Sequence, residues 1–115
     1  MSRFIKSFGF AVKGITYAFK TQPNFKFHTV AAVVMIVAGF AFDLNQMEWL
    51  WILAAISLVL IVELLNTAIE TIVDLVSPSY HLKAGIAKDT AAGAVLISAV
   101  IAAIIGLIIF IPKIL

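Results

Sequence analysis

Between positions 63 and 74 the chain reads Glu-Leu-Leu-Asn-Thr-Ala-Ile-Glu-Thr-Ile-Val-Asp, directly after the uncharged apolar run Trp49–Val62. At about 100° per residue, Glu63, Asn66, Glu70 and Asp74 fall within roughly an 80° arc of one helix face. Three of the six acids in the chain therefore share that face. Carboxylates spaced in this way offer oxygen ligands to a hard cation such as Mg²⁺. A desolvated one can also take a proton from a hydroxyl. Ionisable side chains deep in a bilayer are costly, and those found there usually serve function.

A second set of polar residues lies downstream. Tyr80-His81 and Lys88-Asp89 flank the start of the next apolar segment, at about the level of Glu70 and Asp74. A lysine beside carboxylates is either a structural ion pair or a counter-charge for phosphate. Together with Asn66 and the N-terminal bases, these groups supply a cation, metal-binding oxygens, a proton acceptor and positioning donors, the parts phosphoryl transfer requires. The chain has no GxxxxGK[ST] loop, so a P-loop kinase is excluded, and a nucleotide site must be assembled from helix-borne side chains.

These residues are carried on apolar segments. The chain has 115 residues, 63% of them hydrophobic, with a mean hydropathy of +1.15, far above a soluble average. Three runs are nearly free of charge: Phe27–Phe42, Trp49–Val62 extending through Leu75, and Thr90–Pro112. The last is long enough to cross about 30 Å of hydrocarbon. The pattern predicts an all-α membrane protein with three transmembrane helices, in one domain over 1–115, with helices over 2–20, 25–44, 49–75 and 84–111. Cysteine is absent, which excludes disulfides and thiol nucleophiles. The first 26 residues hold no continuous apolar core of a secretory signal.

Residues 2–20 read as an amphipathic helix, with Phe4, Phe8, Val12, Ile15 and Phe19 at three- and four-residue steps and Lys6, Lys13 and Lys20 every seven. Such a helix either lies in the membrane interface or packs on the spans. Pro23-Asn24 breaks the pattern, and Pro112 is expected to close the last helix. Arg3, Lys6, Lys13, Lys20 and Lys26 precede the first span, Lys83 and Lys88 lie in the second connection, and Asp43–Glu48 has no base. By the positive-inside rule the N-terminus and the Ser77–Lys88 connection face the cytoplasm, in a multi-pass inner-membrane protein. Counted from Trp49 at about 1.5 Å per residue, Glu63 lies about 21 Å in and Glu70 about 31 Å, near the cytoplasmic boundary. The stripe thus descends from water into lipid. Ala94, Ser98, Ala102 and Gly106 recur every fourth residue, a small-residue stripe that either lets helices of different subunits approach or reflects small-residue enrichment in a short bundle.

The segment 63–74, Tyr80-His81 and Ala87-Lys-Asp-Thr-Ala-Ala-Gly-Ala-Val-Leu closely resemble the small prokaryotic diacylglycerol kinase family, which includes the undecaprenol kinases. The resemblance covers nearly the whole chain. It implies a homotrimer with active sites shared between subunits, and Mg-ATP-dependent phosphorylation of a lipid hydroxyl. Matched position by position, it implies Glu63 as catalytic base with Asn66 as its polar partner, and Glu70 as metal ligand. Asp74, Tyr80, His81, Lys88 and Asp89, with Arg3 and Lys6 from the N-terminal helix, match nucleotide-site positions. Two positions depart. Gln22 stands where the family usually has a metal-binding Glu, and an amide oxygen ligates more weakly. Phe10 stands where a nucleotide-contacting Tyr can occur, without the hydroxyl.

Phe25-Lys-Phe-His28 and Gly106–Lys113 look more like the undecaprenol kinase branch, so undecaprenol is the expected substrate and diacylglycerol the alternative. His28, at the entrance of the first span, either contacts a headgroup or snorkels to the interface. A small proton-coupled transporter or channel is the competing class, but the outer half Trp49–Val62 offers only Ser57 as a polar residue. A noncatalytic scaffold gives no reason for the stripe. No nucleic acid is expected as a partner.

Overall fold

In the computed structural model, which describes residues 2–115, the chain forms four helices: α1 (Arg3–Thr21), α2 (Pro23–Ala41), α3 (Gln46–Val76) and α4 (Leu82–Ile114). No strand occurs among the described residues. The last three helices are each long and apolar enough to cross a membrane, as expected of an all-α membrane protein.

The ends of the helices follow local chemistry. Ser2 caps α1, accepting from the Ile5 N–H. Pro23, expected as a breaker before a helix at 25, is instead the first residue of α2; its missing N–H is one that a helix start leaves unpaired anyway, and its fixed φ suits the first turn. α2 also ends at Ala41, short of the expected 44. Asp43 takes a left-handed φ of 54°. The Asp43 and Leu44 N–H groups turn back to the carbonyls of Phe40 and Gly39 at 3.3 and 3.1 Å, the paired pattern of a Schellman stop. Leu44 is thereby driven into the core with Ile52, Ile109 and Phe110.

α3 opens on a capping box. Asn45 Oδ1 accepts from the Glu48 N–H at 2.9 Å, and Glu48 Oε1 accepts from the Asn45 N–H at 3.0 Å, which satisfies two otherwise unpaired donors. Glu48 also pairs with Lys113 at 3.1 Å, tying the start of α3 to the end of α4. Pro112 does not close α4, which continues to Ile114. Proline removes only its own N–H from the ladder, and Leu115 still donates to the Ile111 carbonyl at 3.0 Å.

The small-residue stripe of α4 packs within the chain. Ser98 is 3% exposed, and a Cβ at Gly106 would stand 2.9 Å from Met35 Cε of α2. Ala102 borders a cleft shared with α2 and α3. Ser98, Ala102 and Gly106 of the stripe thus pack against helices of their own chain, while Ala94 is exposed. α1 leans on the rest through Ala11, Gly14, Ile15 and Ala18, facing Leu64, Thr67, Ala68 and Thr71 of α3. Phe4, Phe8 and Phe10 stay largely exposed.

Candidate active site

Glu63 is the most deeply buried ionisable group, 2% exposed on the inward face of α3. One, two and three turns earlier, Val59, Ala55 and Ile52 line the same face, all buried, so the carboxylate sits at the end of an apolar column. The Thr67 hydroxyl donates to the Glu63 backbone carbonyl at 3.0 Å, a way for a hydroxyl to be satisfied inside a membrane helix. The carboxylate has no such partner: Glu63 Oε1 is buried without a hydrogen bond. An unpaired buried oxygen costs stability unless something else engages it.

Asn66 and Glu70 form the next piece. Asn66 Nδ2 donates to Glu70 Oε1 at 3.1 Å, while Asn66 Oδ1 is buried with no partner. Asn66 therefore supports Glu70 rather than Glu63, as far as hydrogen bonds show. Beyond it, Lys88 Nζ of α4 donates to Asp74 Oδ1 in an exposed pair. A shallow pocket of about 140 Å³ lies beside that pair, bordered by Asp74, Tyr80, His81 and Lys88. His81 caps α4, its Nδ1 accepting from the Lys83 N–H at 3.1 Å. The structure thus brings four of the expected nucleotide residues together.

Others stand apart. Asp89 is exposed and does not border the pocket. Arg3, Lys6 and Phe10 are exposed on the first turns of α1, before the part of α1 that faces α3. Gln22 sits at the α1–α2 junction, where its backbone N–H closes α1 onto Ala18 at 2.8 Å and its amide reaches only the Thr21 hydroxyl at 3.4 Å.

His28 is what residue types alone did not place. Its Nε2 lies 3.5 Å from Glu63 Oε1, with side-chain exposure of 20% against 2%. Its spacing within α2 carries no signal of this, because the contact depends on the register of α2 against α3. His28 also borders an apolar cleft of about 330 Å³ between α2, α3 and α4, with Ala31, Ala32, Ala55, Ala99, Ala102 and Ala103 among its lining. Small side chains on three helices open an apolar space that reaches His28, the neighbour of the buried acid.

Whether Mg²⁺ suits these residues turns on the free oxygens. Among the described residues no cluster of three acidic or imidazole groups could enclose a metal. Mg²⁺ does not need one, since it keeps waters and substrate phosphates and asks for one or two carboxylates. Glu70 fits: one oxygen is fixed by Asn66 and the other makes no hydrogen bond to a described residue, with the unpaired Asn66 Oδ1 alongside.

Comparison with known proteins identifies the family. The family described as prokaryotic diacylglycerol kinase matches residues 9–110. The undecaprenol kinase of Bacillus subtilis is 48% identical over 98% of this chain and 92% of its own length. A diacylglycerol kinase of Synechocystis is 46% identical over 95% of this chain, which spans 63% of that protein. The diacylglycerol kinase of Escherichia coli K12 is 35% identical over 90% of this chain and 84% of its own length. Both ends of the site, the stripe on α3 and the pocket at the start of α4, fall inside the matched region, and the chain belongs to the prokaryotic diacylglycerol kinase family.

Proposed function

We propose that the protein is an ATP-dependent lipid kinase that phosphorylates undecaprenol in the membrane. The observation that carries this reading is Glu63, a buried carboxylate whose Oε1 makes no hydrogen bond and lies 3.5 Å from His28, a residue that borders an alanine-rich cleft. Such a group is placed to meet the hydroxyl of an alcohol whose chain lies in hydrocarbon. The similarity to an undecaprenol kinase over nearly the full length of both chains supports that alcohol. Diacylglycerol is the second reading, favoured by the relatives that carry that name. A channel reading lacks a polar lining, because Ile52, Ala55 and Val59 on the inward face of α3 above Glu63 are all apolar.

Each residue then has a task. Glu63 accepts the proton of the lipid hydroxyl, and Asn66 holds Glu70. Glu70 and, more weakly, Gln22 would hold Mg²⁺, which when bound offsets charge on the ATP phosphates. Lys88 leaves Asp74 to meet phosphate, with Asp74, Tyr80, His81 and Asp89 around the nucleotide. Arg3, Lys6 and Phe10 are exposed and do not border that pocket in one chain, which supports a homotrimer in which α1 of one subunit completes the site of another. α1 lies in the interface with its phenylalanines toward lipid. The single domain over 1–115 resides in the inner membrane, its basic segments and site toward the cytoplasm. Transfer of γ-labelled phosphate from Mg-ATP to undecaprenol or diacylglycerol in mixed micelles tests the reading. Label in undecaprenol supports it, label only in diacylglycerol moves it to the second reading, and no label in either rejects it.

A further inference from the structure

A base that takes a proton must lose it before the next turnover, and Glu63 is too buried to lose it to water. Its surroundings offer few exits. From α3, Thr67 bonds the backbone carbonyl of Glu63, and Glu70 lies seven residues on, held by Asn66. From α4, the cleft beside His28 is lined by Ala99, Ala102 and Ala103. From α1, the residues facing α3 include Ala11, Gly14, Ile15, Tyr17 and Ala18, of which only Tyr17, half exposed, has an ionisable group. On α2 itself, Lys26 is turned toward Phe19, Nζ 5.8 Å from that ring. The ionisable group in contact is His28, Nε2 3.5 Å from Glu63 Oε1 and ten times as exposed, 20% against 2%.

We infer that His28 is the proton outlet of the active site, a positioning and relay residue that returns Glu63 to its charged form after each transfer. The inference rests on the lipid kinase reading above. In the reaction, the lipid oxygen bonds the γ-phosphorus while the bond from that phosphorus to the bridging oxygen breaks and ADP leaves. The hydroxyl proton goes to the Glu63 carboxylate. From Oε1 it passes to Nε2 of a neutral His28, and the imidazolium then loses a proton to water on its exposed side. Imidazole suits the task because it changes charge near neutral pH. Between turnovers the same contact holds the carboxylate toward the cleft.

The test is kcat and KM for lipid and ATP for the wild type, His28→Gln and His28→Asn in mixed micelles. Both amides keep a polar group in place but cannot carry the proton. The expected result is a kcat at least about tenfold lower in both variants, as for the loss of a proton-transfer group, with both KM values within about twofold. A histidine that only shaped the site would change one or both KM values along with kcat. Wild-type kcat in either variant, or a fall in kcat matched by a comparable rise in either KM, overturns the inference while the kinase reading stands. A wild type that phosphorylates neither lipid overturns the kinase reading and the relay with it.

Discussion

Asn66 gives its side-chain amide to Glu70, one turn further along α3, at 3.1 Å, and leaves its own carbonyl oxygen buried and unpaired. The polar face of α3 is thus divided. Asn66 and Glu70 form a hydrogen-bonded pair, while Glu63, three residues deeper, is approached from α2 by His28. Seen as sequence, the four polar residues are one stripe; in the structure they are two devices with different partners.

Removing the amide tests the first device. Asn66→Ala frees the Glu70 carboxylate, and the Mg²⁺ concentration for half-maximal activity is expected to rise about tenfold, the usual scale for a lost partner of a metal ligand. A Mg²⁺ titration of phosphoryl transfer reads this. An unchanged midpoint would separate Glu70 from the metal.

Lys88 and Asp74 form an exposed pair, and exposed pairs contribute about 1 kcal/mol or less to stability. Lys88→Gln is therefore expected to leave the thermal midpoint in detergent nearly unchanged. The KM for ATP should rise about tenfold or more, since a hydrogen bond to a charged group is worth about 1.5–3 kcal/mol. A large fall in thermal midpoint with an unaltered KM would assign the lysine to structure alone.

Gln22 lies away from Glu70 at the α1–α2 junction. If subunits share sites, Gln22→Glu supplies a carboxylate to a neighbouring Glu70, and half-saturation by Mg²⁺ should fall severalfold. The same arrangement predicts that Arg3→Ala and Glu63→Gln chains, each weak alone, regain activity when mixed and reassembled. Mixtures no more active than the sum of their parts would place each site within one chain.

The turn between α2 and α3 carries a measurable strain. Asp43 holds φ at 54°, where a side chain costs about 1–2 kcal/mol and glycine almost nothing. Asp43→Gly is expected to stabilise the protein by about 1 kcal/mol in chemical or thermal unfolding. Gly39→Ala goes the other way, because a Cβ there would stand 2.5 Å from the Trp49 ring. That overlap should cost about 1–3 kcal/mol, more than the helix propensity gained. At Gly106 the obstacle is only the flexible end of Met35, so Gly106→Ala should be close to neutral.

Local pattern made much of this molecule legible. The runs around Trp49–Val62 and Thr90–Pro112 announced their helices, and helical spacing alone put Glu63, Asn66, Glu70 and Asp74 on one face. Lys88 could be matched to Asp74 because both flank the same short connection. What stayed hidden depended on register between helices. Nothing in Phe25-Lys-Phe-His28 says that the imidazole meets Glu63, 35 positions away, since a shift of one residue in the packing of α2 on α3 would turn it elsewhere. The small-residue stripe of α4 had the same ambiguity, and only packing showed that Gly106 meets Met35 of its own chain. Pro23 did mark the break between α1 and α2, as proline at a first helical position can, whereas Pro112 misled, since α4 runs on to Ile114.

The central claim is that Glu63 takes the proton of a lipid alcohol during transfer from ATP. The direct measurement is Mg-ATP-dependent phosphorylation of undecaprenol and diacylglycerol in mixed micelles, wild type beside Glu63→Gln, which keeps the shape of the side chain without its basicity. The account predicts labelled undecaprenyl phosphate from the wild type and a kcat at least about a hundredfold lower from Glu63→Gln, the scale of a lost general base. Full activity in Glu63→Gln, or no phosphorylation of either lipid by the wild type, would contradict it.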